Sequence, residues 1–150
     1  RKGYSENWIN QRLKSIEVRK ELTDEWERRG IKRGQEFATL TDIITQGWSG
    51  MTTRQYKRYK GLKTESLRDN MTNLELVLNM LAEATTTEIS KERRPRTFAA
   101  NRIVAAQGGR IAGNTRREIE AQTGKKIVSR LNAEQVLAAK EIEQNEEEKE

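Results

Sequence analysis

Thr72-Asn73-Leu74-Glu75-Leu76-Val77-Leu78-Asn79-Met80-Leu81-Ala82-Glu83 is the stretch whose reading decides the fold class. Leu74, Val77, Leu78, Leu81 and then Ala84 recur at spacings of three and four, so Thr72 starts a helix with these residues on its buried side. Leu76 and Met80 widen the apolar surface, as expected for a helix covered on two sides or placed at a dimer seam. Thr85, Thr86 and Thr87 lower helix propensity, but Glu88 and Ile89 are compatible with continuation. The helix must end before Pro95, which disfavours helical geometry at Arg94 and lacks a backbone donor.

Upstream the same periodicity recurs. Trp8, Ile9, Leu13, Ile16, Val18, Leu22 and Trp26 predict a long amphipathic helix over residues 5–29, with Ser5 as N-cap and Gly30 just beyond its end. Arg12, Arg19, Lys20, Arg28 and Arg29 lie among acidic neighbours and read as a mixed solvated face. Phe37, Leu40, Ile43 and Ile44 predict a second helix over residues 35–46, stopped at Gly47. A turn around Trp48 and Gly50 then leads to a short helix capped by Thr52 or Thr53, and residues 64–70 read as another.

Downstream of Pro95, Phe98, Ile103 and Val104 share one face until Gly108-Gly109. Residues 108–117 permit two readings: a tight turn whose amides and arginines hold phosphate, or glycines that allow close helix approach or a helix break. The glycine spacing is that of neither a P-loop nor a dinucleotide fingerprint, which favours the second. Glu118, Ile119 and Ala121 continue a helix to Gly124, and residues 125–129 read as a short strand or extended arm. A further helix is expected from Asn132 to about residue 144, anchored by Val136, Leu137 and Ile142, before an acidic end.

The expected fold is therefore an all-α, multi-helix domain with short connections, a short extended segment near 125–129 and an acidic C-terminal tail. Its expected organisation is a helical domain over 1–130, with a boundary at the basic linker 91–97, followed by a C-terminal helix and tail over 131–150. Because Arg1 reads straight into a helix, the chain is expected to be a domain of a longer protein.

Composition narrows the chemistry. The 150 residues contain neither cysteine nor histidine, so thiol nucleophiles, disulfides, imidazole relays and sulfur- or imidazole-based metal sites are excluded. Acidic pairs such as Asp24 with Glu25 lie on polar helix faces with no apolar surroundings to raise a pKa; the expectation is no catalytic residue, no cofactor and no enzyme activity. An oxygen-ligand magnesium site assembled from distant carboxylates stays open, although no metal residue is singled out. No run approaches the length of an apolar membrane span, and without a secretory leader the expected location is cytoplasmic, away from membranes.

The net charge of +6 hides an asymmetry: residues 1–130 carry 27 basic and 16 acidic residues, whereas residues 131–150 carry 2 and 7. Residues 95–130 are the most biased stretch, with 8 basic and 2 acidic residues. DNA, single- or double-stranded, is the partner this balance favours. The candidate contacts are Arg58, Tyr59, Lys60 and Lys63, with Lys57 and Arg68 also among the tyrosines, then Arg110, Arg116, Arg117, Lys125 and Lys126. The competing reading of the first cluster is that Trp48, Met51, Tyr56 and Leu62 simply pack a helix corner. Leu74, Val77, Leu78 and Leu81 are the candidate interface of a homodimer.

Tyr56-Lys57-Arg58-Tyr59-Lys60-Gly61-Leu62-Lys63 and Leu67-Arg68-Asp69-Asn70-Met71-Thr72-Asn73-Leu74-Glu75-Leu76 resemble the C-terminal region of the bacterial DNA-damage-inducible protein D family and of related phage antirepressor proteins. Gly113-Asn114 and Thr123-Gly124-Lys125-Lys126 resemble its distal motif, and the blocks occur in order across residues 1–132. The resemblance implies a non-enzymatic role in the SOS response or prophage regulation, with recombinase modulation in one branch. It also implies a Bro-type DNA-binding module preceding this region, and a partner that is DNA or a DNA-bound protein. No residue role carries over from the resemblance.

Overall fold

A computed structural model describes residues 4–133. Among them are five α-helices: α1 (Glu6–Arg28), α2 (Gln35–Ser49), α3 (Thr53–Tyr59), α4 (Asn73–Arg93) and α5 (Phe98–Thr123), with a single 3-10 turn at Arg68–Asn70 before α4. No strand occurs among the described residues; the expected extended arm at 125–129 is irregular chain, and residues 64–67 are not helical. The helix expected after Asn132 and the acidic tail lie outside the described residues.

Hydroxyl caps start four of the helices. Ser5, Thr52, Thr72 and Thr97 are extended, and each accepts a hydrogen bond from the backbone N–H three residues on. At α3 and α4 the cap is reciprocal, with Gln55 and Glu75 reaching back to the Thr52 and Thr72 amides. Pro95 enforces the corner between α4 and α5, and Arg94 closes α4 in the left-handed region at φ 49°.

Two parallel helix pairs form the body. Trp8 reaches Met71, Arg19 reaches Glu83 and Glu25 reaches Ser90, so α1 runs alongside α4 in the same direction. Ile44, Gly47 and Trp48 meet Gly109, Gly113 and Arg116 in ascending order, so α2 runs parallel to α5. The corner at Pro95 folds α5 back against α4, joining the pairs around Leu22, Trp26, Leu40, Ile44, Trp48 and Leu76.

The α2–α5 seam corrects two expected boundaries. Gly47 does not stop α2, which continues to Ser49 and closes at Gly50, and Gly108-Gly109 lie inside an uninterrupted α5. A Cβ on Gly47 would stand 2.9 Å from the Gly109 Cα, and one on Gly109 would stand 2.8 Å from the Ile44 carbonyl oxygen. The glycines let two backbones touch, so the phosphate-turn reading of residues 108–117 falls: those amides belong to a helix interior.

The buried side of α4 is also not the expected one. Leu74, Val77 and Leu81 are 41%, 37% and 36% exposed, whereas Leu78 is buried at 2%. Glu75, Leu76, Asn79, Ala82, Glu83, Thr86 and Ser90 face inward instead. Similarly, Leu13 and Ile16 of α1 and Ile103 of α5 are exposed, while Ser15 and Glu25 are buried. Most of these polar groups find a partner in the interior, although the Asn79 amide nitrogen is buried without one among the described residues.

Candidate functional site

Structural ion pairs sort the cations. Glu83, wholly buried, accepts from Arg68 at 2.8 and 2.5 Å and from Arg19 at 3.0 Å. Burial alone would push its carboxyl up, but Arg68 and then Arg19 outweigh burial and hold it below its ordinary value. Glu25 is held by Ser90 at 2.7 Å and by Arg28 and Arg29 at 3.2 and 3.0 Å. The mixed solvated face expected on α1 is thus partly an internal tie to α4.

A third buried cluster removes Lys60 from the candidate contacts. Its ammonium is fully enclosed, 2.8 Å from Glu75 and 2.6 Å from the Leu131 carbonyl. The Tyr56 hydroxyl donates to the other Glu75 oxygen, which also accepts from the Ser129 amide at 3.2 Å. Burial, reinforced by the Glu75 charge, raises the Tyr56 pKa, so the phenol stays protonated and donates. Burial lowers that of Lys60, with Glu75 opposing. The cluster joins α3 to α4 and fastens the chain after α5 across both, a task for which Lys60 must face inward. The corner-packing reading of Trp48, Tyr56 and Leu62 agrees with their burial.

Arg116 is likewise occupied. It donates to the Trp48 carbonyl at 2.7 Å and to Glu120 at 2.8 Å, bracing the end of α2 against α5. Tyr59 is half-buried with the Arg130 guanidinium over its ring at 5.0 Å, so this face is already covered. Arg68 serves Glu83.

Arg58 and Lys63 do remain available, and they come together with Lys57, named beside them in the sequence reading, and with Arg54, which sequence reasoning left out. All four line an open groove of about 890 Å³ between α2 and α3, to which α1 adds Arg19, already held by Glu83. Among the described residues none of these four side-chain cations has a hydrogen-bond or ion-pair partner. Arg54, Lys57 and Arg58 share one side of α3 through their spacings of three and four, and Lys63 follows the turn at Gly61. The α2 wall is different: Gln35, Ala38, Thr39 and Asp42 supply neutral groups and one carboxylate. Asp42 accepts from the Thr53 amide at 2.7 Å, which ties the start of α3 to α2 and fixes the groove's width.

Arg110, Arg117, Lys125 and Lys126 are exposed on α5 and just beyond it. They belong to the side of the molecule built by α5, and none of them lines the groove. The basic candidates therefore divide into a groove set, an α5 set and a structural set.

Among the described residues no group of three or more acidic side chains could hold a metal ion, and no helix is long and apolar enough to cross a membrane. No protein-family model, curated protein or solved structure matches the chain.

Proposed function

We propose that the protein is a non-enzymatic regulatory module that associates with nucleic acid, or with a nucleic-acid-bound protein, through its unpaired basic surfaces. The observation that carries this reading is the pairing state of the cations. The fold uses Arg19, Lys60, Arg68 and Arg116 internally, yet leaves four cations around one groove with no acidic partner among the described residues. Keeping like charges together costs free energy that a polyanion relieves by releasing its counterions. The resemblance of the ordered blocks to the DNA-damage-inducible protein D family is what suggests DNA-damage response or prophage control as the setting of that association.

The test is a titration of the whole chain with DNA at two salt concentrations. With about four phosphate contacts, affinity is expected to fall roughly 50- to 150-fold between about 50 and 200 mM salt. Absence of binding at the lower salt would sink the proposal.

A second reading, a dimerisation module without direct DNA contact, draws on Leu74, Val77 and Leu81, which form an exposed row on the side of α4 away from the core. It predicts a dimer insensitive to salt that dissociates when Val77 and Leu81 are changed to lysine. Sedimentation equilibrium decides it: a monomer at tens of micromolar wild-type protein rules the reading out.

A further inference from the structure

We propose that the α2–α3 groove is a channel for single-stranded nucleic acid, with phosphates running along α3 and bases turned toward α2. This rests on the polyanion-binding reading above and deepens it.

The two walls carry different chemistry. Arg54, Lys57, Arg58 and Lys63 all belong to the α3 side, whereas the α2 side offers Gln35, Thr39 and the Asp42 carboxylate. A single strand has the matching asymmetry, an anionic edge of phosphates and an opposite edge of hydrogen-bonding bases. A duplex does not: it presents phosphates outward on both strands and keeps its pairing edges inside. Nor does α3 make a recognition helix, because it is only seven residues long and Tyr56 and Lys60 tie its inner side to the core.

The groove lining as described contains no aromatic ring, so base stacking contributes nothing there and affinity comes from the phosphates. Asp42 adds a bias. Its carboxylate repels phosphate and accepts only from donors, so it favours bases that carry an exocyclic amino group, such as cytosine through N4. Asp42→Asn keeps an oxygen for the Thr53 amide and removes the charge, which separates this role from the structural one.

The experiment measures fluorescence anisotropy of the full chain with labelled oligonucleotides of about 12 nucleotides, within the site size of single-strand binders. The single strand is expected to bind at least tenfold more tightly than its duplex. Oligo(dC) should exceed oligo(dT) by roughly fivefold, a preference that Asp42→Asn abolishes. The Arg54→Gln, Lys57→Gln, Arg58→Gln triple variant should lose at least tenfold in affinity, and its log–log salt slope should fall by about 2. Lys63→Glu, placed beyond the Gly61 turn, is an independent second variant, with thermal melts verifying that both are folded. Arg110→Gln with Arg117→Gln should leave single-strand affinity within twofold. Equal affinity for duplex and single strand, or wild-type affinity in both groove variants, overturns the channel and leaves the polyanion reading standing. Failure of both the single strand and the duplex to bind at low salt overturns both readings.

Discussion

Replacing Glu83 by alanine is expected to lower the unfolding free energy by about 3–5 kcal/mol, a large part of the stability of a domain this size. The carboxylate neutralises two guanidiniums drawn in from α1 and from the 3-10 turn, and both are mostly withdrawn from water. Removing it leaves Arg68 and Arg19 facing one another in the interior without a counter-charge. Urea melts of wild type and variant check the value. The exposed Lys20–Asp24 pair is the control, since Asp24→Asn should cost less than about 1 kcal/mol. The same carboxylate sets an acid limit. Its pKa in the fold is lowered from an ordinary value of 4.5, so its contribution is complete above that pH and is lost as the pH falls through the lower, folded value. Stability of the wild type should therefore decline below about pH 4.5, and Glu83→Gln should lose that part of the decline. An unchanged acid limb in the variant would show that Glu83 does not supply it.

Gly109→Val is expected to destabilise by about 3 kcal/mol or more, although valine is a better helix residue than glycine. The added carbon meets backbone, the Ile44 carbonyl oxygen and the Gly47 Cα, and backbone cannot rotate out of the way as a side chain can. To admit it, α2 and α5 must separate along the seam where Trp48 and Arg116 also meet. Gly109→Ala is the sharper probe, because helix propensity favours alanine by roughly 1 kcal/mol and the close contact opposes it. An alanine variant more stable than wild type in thermal melts would disprove the backbone contact.

Those two sites show where the sequence was legible and where it was not. Helix class, the cap at Ser5, the start of α3 at Thr52 or Thr53, the start of α4 at Thr72 and the helix boundary before Pro95 are local events, decided within a few residues, and the structure bears them out, with Thr52 as the cap of α3. The facing of α4 was not legible, because periodicity sorts residues by hydrophobicity whereas this helix buries Glu75, Asn79 and Glu83. Their partners are Tyr56 and Lys60, Trp48, and Arg19 with Arg68. No local pattern announces a partner tens of residues away. Gly47 alone resembles a helix breaker, and Gly108-Gly109 alone allow either a break or a close helix approach; only the contact between the two helices decides for the approach and makes a seam. In the candidate site, Arg58 and Lys63 stood out by charge, but so did Lys60. What separates them is that Lys60 turns inward to Glu75 at the end of α3, and a missing ion pair has no sequence signature. Arg54 becomes visible only once the paired cations are set aside.

The parallel pairing of α1 with α4 also has a consequence for biosynthesis. Arg19 and Glu83 stand 64 positions apart, so α1 leaves the ribosome long before the helix that covers it. At the usual pace of translation that interval is roughly 3–13 s, during which Trp26 has Phe37 beside it but neither Ser90 for Glu25 nor Glu83 for Arg19. Because its ties span such sequence distances, this helical protein should fold more slowly than bundles built from neighbouring hairpins. Completion of the chain through α4 is then the event that commits α1 to its place.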